Sequence, residues 1–198
     1  MPFDDMRELF VELDSFFRRL TTPDELTVPI LDFCNTLSDR EPFYIDCRPE
    51  PWSRLLCCDM NVEEFIRRTG RGISLYGYRI WTAGTDYIEA ESHVIWHDPD
   101  KQETRDVSFC QSGEKRILFV PVCSQFDGTF DTLKKKVRHV FAPRYKRALE
   151  RYEALEKEIM RERTKEMPPG EAWEKMPSYA DWVAGKPMPV GILGVQPT

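Results

Sequence analysis

The sequence predicts an α+β fold, an antiparallel β-sheet meander packed against helices with N- and C-terminal helical additions. Four runs rich in Ile, Val, Tyr, Phe and Trp lead to it: "ISLYGYRIWTA", "DYIEAESHVIWH", "TRDVSF" and "KRILFVPV". They are separated by "GT", "DPDKQ" and "QSGE", turns of hairpin length. Both flanks carry helical patterning instead, and 198 residues at 41% apolar suffice for one core. The expected organisation is a single domain over 1–198. It has helices at 1–40, an α+β core at 43–123, charged helices at 129–166 and an extended tail at 167–198.

Taken in order, Met6, Leu9, Phe10, Leu13, Phe16, Phe17 and Leu20 recur at spacings of three and four, the period of an amphipathic helix over Asp4–Leu20. "TTPDEL" offers Thr22 as a cap, Pro23 at the first helical position and Glu25 three residues on, which predicts a second helix running toward Leu37. Pro29 threatens to kink or shorten it. "FYIDC" at 43–47 reads as a short strand and "RPEPW" as loop. Val62, Phe65 and Ile66 are spaced for a helix starting near Asp59 or Met60. Gly70 supplies its C-cap, and Arg67 and Arg68 suit the negative end of the dipole. After the four strand runs, Asp131 to Glu166 reads as charged helix divided at Pro143. In the tail, Trp173, Tyr179 and Trp182 are placed to anchor an extended arm on the main body.

Composition narrows the function classes. A net charge of −6 argues against nucleic acid as the default partner. The N-terminal stretch has no basic leader with an apolar segment, and no apolar run approaches 18 residues, so neither export nor a membrane partner is expected and the location predicted is cytoplasmic. In that setting Cys34, Cys47, Cys57, Cys58, Cys110 and Cys123 read as reduced thiols, and no CxxC or CxxxC spacing suggests structural zinc. No cofactor and no metal are expected. Between 131 and 151 eight Lys or Arg face two acids, a solvated helix face or a patch for an acidic partner.

The chemistry concentrates in "ESHVIWHDPDKQETRDVSF", residues 91–109. His93 in one strand-like run and Asp106 in the next are the orienting half of a nucleophilic triad: the carboxylate fixes the imidazole and leaves its other nitrogen free for a proton. Upstream, Cys58 precedes an amphipathic helix, where unpaired N–H groups and the dipole favour a thiolate and an oxyanion alike. Asn61, one turn along, is a candidate oxyanion donor or helix cap. Glu91 shares the His93 side of its strand and is placed to polarise a substrate amine, or to stand as a solvated strand carboxylate. For the triad to close, the Cys58 helix must cover part of the side bearing Glu91, His93 and Ile95; if Val94 and Trp96 face that helix, His93 should look away and the triad should fail to form.

The runs Asn61-Val62, Gly77-Tyr78-Arg79-Ile80-Trp81, Ile88-Glu89-Ala90-Glu91-Ser92-His93-Val94-Ile95-Trp96, Asp106-Val107-Ser108 and Arg116-Ile117-Leu118-Phe119 carry a resemblance. They resemble a group of uncharacterised bacterial proteins with a Cys-x-x-Asn-Val helix start and an Ile-Glu-Ala-Glu-x-His-x-Val-Trp strand. The resemblance covers roughly residues 55–120 and departs at Tyr78, where Trp is expected, and Ser108, where Thr is expected. In triad order it is similar to transglutaminase-like, arylamine N-acetyltransferase and papain-like cores, which implies a cysteine-dependent hydrolase or acyltransferase acting on a peptide, a protein or a small amide or thioester. Cys58, His93 and Asp106 are the positions it marks. The competing expectation is a binding or adaptor protein whose recognition surface is Tyr76, Tyr78, Trp81 and Trp96. A metal site using His93, His97 and Cys57 or Cys58 is a third, weakened because strand residues four apart are separated by about 13 Å.

Overall fold

The computed structural model describes residues 3–123, 135–163 and 168–188. Helices α1 (Phe3–Arg18) and α2 (Val28–Asn35) precede β1 (Phe43–Asp46), and α3 (Cys58–Thr69) leads into β2 (Ile73–Ala83), β3 (Tyr87–Asp98), β4 (Glu103–Arg105) and β5 (Arg116–Cys123). Strand β6 (Lys136–Val140) and helices α4 (Pro143–Arg163), α5 (Pro169–Lys175) and α6 (Tyr179–Val183) follow. The protein is mixed α+β, with an open antiparallel sheet packed against helices.

The sheet runs β1-β5-β2-β3-β4, with β6 also on β3. Strands β2, β3 and β4 form the expected meander, but β5 does not extend it: it crosses to pair with β2 on one side and β1 on the other. Its burial explains the crossing. Ile117, Leu118, Phe119 and Val120 are all fully buried, so this strand is apolar on both faces and needs an interior position. The partly exposed three-residue β4 can stand at an edge.

Alternation along β3 divides the core. Ile88, Ala90, Val94 and Trp96 face one side. There Phe33 and Cys34 of α2 pack against Tyr78, Ile80, Leu118 and Val120, while Val62 and Phe65 of α3 pack against Tyr76, Val94 and Trp96. On the other side Ile95 joins Ile45, Leu75, Trp81, Ile117 and Phe119. Leu13 and Phe16 of α1 meet Tyr145, Ala148 and Leu149 of α4 over Tyr87, Ala83 and Val140.

Three boundaries differ from the sequence expectation. Helix α2 begins at Val28, because Thr21 pairs with Thr82 in a β-bridge that holds the preceding chain extended; Pro29, not Pro23, takes the early-helix position. Residues 136–140 are a strand, not helix: Val137 and Val140 register opposite Ala90 and Tyr87 and fill the edge of β3, and Pro143 starts α4 instead of dividing a helix. The basic stretch is thus no single helical face, and Lys136 and Arg138 pair with the buried Glu89 at 2.8 and 3.0 Å. The expected stretches 129–134, 164–167 and 189–198 lie outside the described residues. Finally, the arm is not extended but carries α5 and α6. It is anchored as expected: Tyr179 and Trp182 pack on Phe109 at 5.4 and 6.0 Å between ring centres, and Trp173 on Trp52 at 6.3 Å.

Candidate active site

Helix α3 starts at Cys58 itself, with Cys57 in the N-cap position. Leu56 takes a left-handed conformation (φ 60°) just before it, and the first intrahelical bond runs from Asn61 N–H to the Cys57 carbonyl at 2.8 Å. The N–H groups of Cys58, Asp59 and Met60 precede that bond, at the positive end of the helix. Gly70 closes the helix in the left-handed conformation (φ 67°), after Arg67 and Arg68, as its position predicts.

Asn61 is fully buried and fulfils neither expected role. Its Oδ1 accepts from Arg54 N–H at 2.6 Å, while Nδ2 donates to the Arg54 carbonyl at 2.8 Å and to Ser108 Oγ at 3.2 Å. Both its N–H donors are taken, one by the loop ahead of Cys58 and one by Ser108, and its oxygen bonds that same loop, so it is not free to hold an oxyanion or cap the helix. The arm grips the same loop: Leu55 N–H donates to the Pro177 carbonyl at 3.0 Å and Tyr179 N–H to the Ser53 carbonyl at 2.8 Å.

His93 and Asp106 are each 2% exposed, and the imidazole Nε2 lies 3.0 Å from Asp106 Oδ2. Ser108 N–H donates to Asp106 Oδ1 at 2.8 Å, so both carboxylate oxygens are fixed. Backbone bonds fix Asp106 as well, since its N–H donates to the Asp46 carbonyl at 3.2 Å and its carbonyl accepts from Arg48 N–H at 2.8 Å. Burial alone would lower the imidazole pKa, but the Asp106 carboxylate and then Cys58 reverse this and raise it to about 9. With Nε2 given to Asp106, Nδ1 is the nitrogen left for the Cys58 thiol. A cavity of about 80 Å³ lined by Leu56, Cys58, Arg79, Glu91, His93 and Phe109 opens there.

Val94 and Trp96 do face α3, the condition under which His93 should look away. His93 nevertheless comes close to Cys58: both line the same cavity, and Cys58 contributes to the raised imidazole pKa. The cavity joins Cys58 to Arg79, Glu91 and His93 of the sheet. Opposite His93 on β2 lies Gly77, where a Cβ would meet the Val120 carbonyl at 2.1 Å and the Phe119 ring at 2.8 Å. Only glycine lets β5 approach that closely.

Glu91 is not a solvated strand carboxylate. Its Oε2 accepts from Arg79 Nε at 2.8 Å and Trp81 Nε1 at 3.0 Å. Burial would raise its pKa, but Arg79 and Lys136 bring it down to about 2. Trp81 thus acts on the cavity through Glu91. Tyr78 lies on the opposite face, in the α2 core, and lines no part of the cavity. Tyr76, Tyr78, Trp81 and Trp96 are all at most 6% exposed, so they form no recognition surface. His97 Nδ1 faces Thr104 Oγ1 at 3.3 Å, and no group of three metal-binding side chains converges among the described residues.

Burial pushes up the thiols of Cys34 (to about 12), Cys57 (to about 11), Cys47 and Cys110. Arg79, Ser108 and Cys47 are participants that sequence reasoning missed. Arg79 was legible in principle from the β2–β3 hairpin register, which sets it across from Glu91. Cys47 meets Asp106 only through a long-range parallel bridge, which no local pattern signals.

Comparison with protein-family models, curated proteins and solved structures finds no match. The geometry alone carries the functional reading. No helix among the described residues is long and apolar enough to cross a membrane.

Proposed function

We propose that the protein is a cysteine-dependent hydrolase or acyltransferase, cytoplasmic, with a core of the transglutaminase-like or papain-like kind and a peptide, protein or small amide or thioester as substrate. The observation that carries it is a buried His93 with Asp106 3.0 Å from one ring nitrogen and Cys58, the first residue of a helix, lining the same small cavity as the imidazole and adding to its raised pKa. That is the order of contacts a thiol nucleophile needs.

In this mechanism the Cys58 sulfur, its proton already held by His93, attacks the substrate carbonyl carbon, and the oxyanion is received by N–H groups of the first α3 turn. His93, cationic at neutral pH, gives its Nδ1 proton to the leaving amine or thiol as the acyl–sulfur bond is completed. Water or an acceptor amine then attacks the acyl-enzyme, passing its proton to His93 and returning the sulfur. Asp106 keeps the ring oriented and steadies the imidazolium throughout. Glu91, locked by Arg79 and Trp81, presents fixed charge to whatever enters the cavity.

The test is iodoacetamide labelling of the native protein between pH 5 and 9, with the modified cysteine located by mass spectrometry, beside His93→Ala. Rapid labelling at Cys58 below pH 7 that slows in the variant is the expected result. Labelling that follows an ordinary thiol titration in both proteins rejects the proposal.

A further inference from the structure

Cys47 sits at the end of β1, where the chain forms a parallel bridge with Asp106 and its N–H donates to the Lys115 carbonyl at 2.8 Å. Its sulfur lies 3.7 Å from Asp106 Oδ2, the same oxygen that meets His93 Nε2 at 3.0 Å. Burial and then the Asp106 charge push the Cys47 thiol well above its ordinary range, so it stays protonated and can only donate to that oxygen.

We propose that Cys47 is a positioning residue for the triad: its S–H donates to Asp106 Oδ2 and so sets how firmly the carboxylate holds the His93 imidazole. The consequence for activity rests on the function proposed above; the effect on His93 does not. A donor to a carboxylate draws on the charge that would otherwise act on the imidazolium, so a weaker donor tightens the grip on His93 and a stronger one loosens it.

Other groups bear on the same site. Arg79 on β2 faces Asp106 and Cys110 and is matched by Glu91 on β3. Cys110 faces Asp106 and Cys47 from the segment after Asp106, and Cys58 faces His93 from α3. Cys47 is the group whose donor reaches the Asp106 oxygen that meets His93, which makes it the handle for the test.

The experiment is an NMR titration of the His93 ring in the full chain, for the parent protein, Cys47→Ala, Cys47→Ser and, as a neighbouring-thiol control, Cys110→Ser. Loss of the donor in Cys47→Ala is expected to raise the His93 midpoint by about half a unit, roughly threefold in proton affinity. The shorter, stronger O–H donor in Cys47→Ser is expected to lower it by a similar amount. Cys110→Ser should leave it in place. Shifts of the same sign in both Cys47 variants, or none in either, overturn the proposal. Should the serine variant not fold, a fall or no change in Cys47→Ala overturns it alone. Opposite shifts with ordinary alkylation at Cys58 keep Cys47 as a positioning residue and reject only the enzymatic reading.

Discussion

The His93–Asp106 contact should be visible in the pH dependence of stability before any substrate is known. The folded protein holds the His93 proton up to about pH 9, against 6.5 for an ordinary imidazole, because Asp106 outweighs the cost of burial. A group whose pKa is raised on folding contributes its full stabilisation below the unfolded value and loses it as pH rises through the folded one. The raised pKa corresponds to roughly 3 kcal/mol, present in full near pH 5, of which about half should disappear between pH 6.5 and 8. Buried cysteines contribute with the same sign only above that window, once free thiols begin to ionise. The assay is urea unfolding at half-unit steps from pH 5.5 to 8, for the parent chain and Asp106→Asn, which keeps the shape and removes the charge. The parent should lose stability relative to the variant across the window. Parallel curves would falsify the claim that Asp106 holds a proton on His93.

Further outcomes follow from other contacts. Asn61→Ala should cost about 2–3 kcal/mol in unfolding experiments, since it strands the Arg54 backbone groups and Ser108 in a buried setting. Gly77→Ala should cost at least 1–3 kcal/mol in the same assay by forcing β5 away from β2; a neutral effect would mean the sheet tolerates a wider spacing there. Glu89→Ala should be the most damaging, about 3–5 kcal/mol, because it leaves Arg138 buried with one partner fewer. Trp182→Ala should loosen the arm, read as faster amide exchange over residues 177–183 with the β2–β3 amides unchanged.

Local chemistry was the legible part of this chain. The β2 and β3 runs, the Gly70 cap and the α1 stripe each declare themselves within a dozen residues, and each forms where its pattern predicts. The candidate site was legible as a list of residue types: Cys58 at a helix start, with His93 and Asp106 on successive strand-like runs, needs no long-range information. Its assembly was not. Whether His93 could approach Cys58 depended on how distant segments pack around one cavity, and β6 was hidden in a basic stretch whose composition favours helix. The displacement of β5 to the interior was likewise decided by burial on both faces, a tertiary demand that hairpin-length turns do not reveal.

The grip of the arm on the loop ahead of Cys58 bears on the order in which the molecule is completed. Arg54 and Met176, 122 positions apart, touch through a bond of 3.2 Å, so this contact closes one of the longest loops in the chain. Such closures come late, after hairpins such as β2–β3 have formed, since their entropy is recovered only when a surface already exists to dock on. During synthesis the sheet and His93 would emerge and pair well before the segment that grips the loop ahead of Cys58 is available. A half-made chain would therefore carry Cys58, His93 and Asp106 and still lack the contact that holds the loop ahead of Cys58; under the proposed mechanism, reactivity waits until the fold is nearly finished.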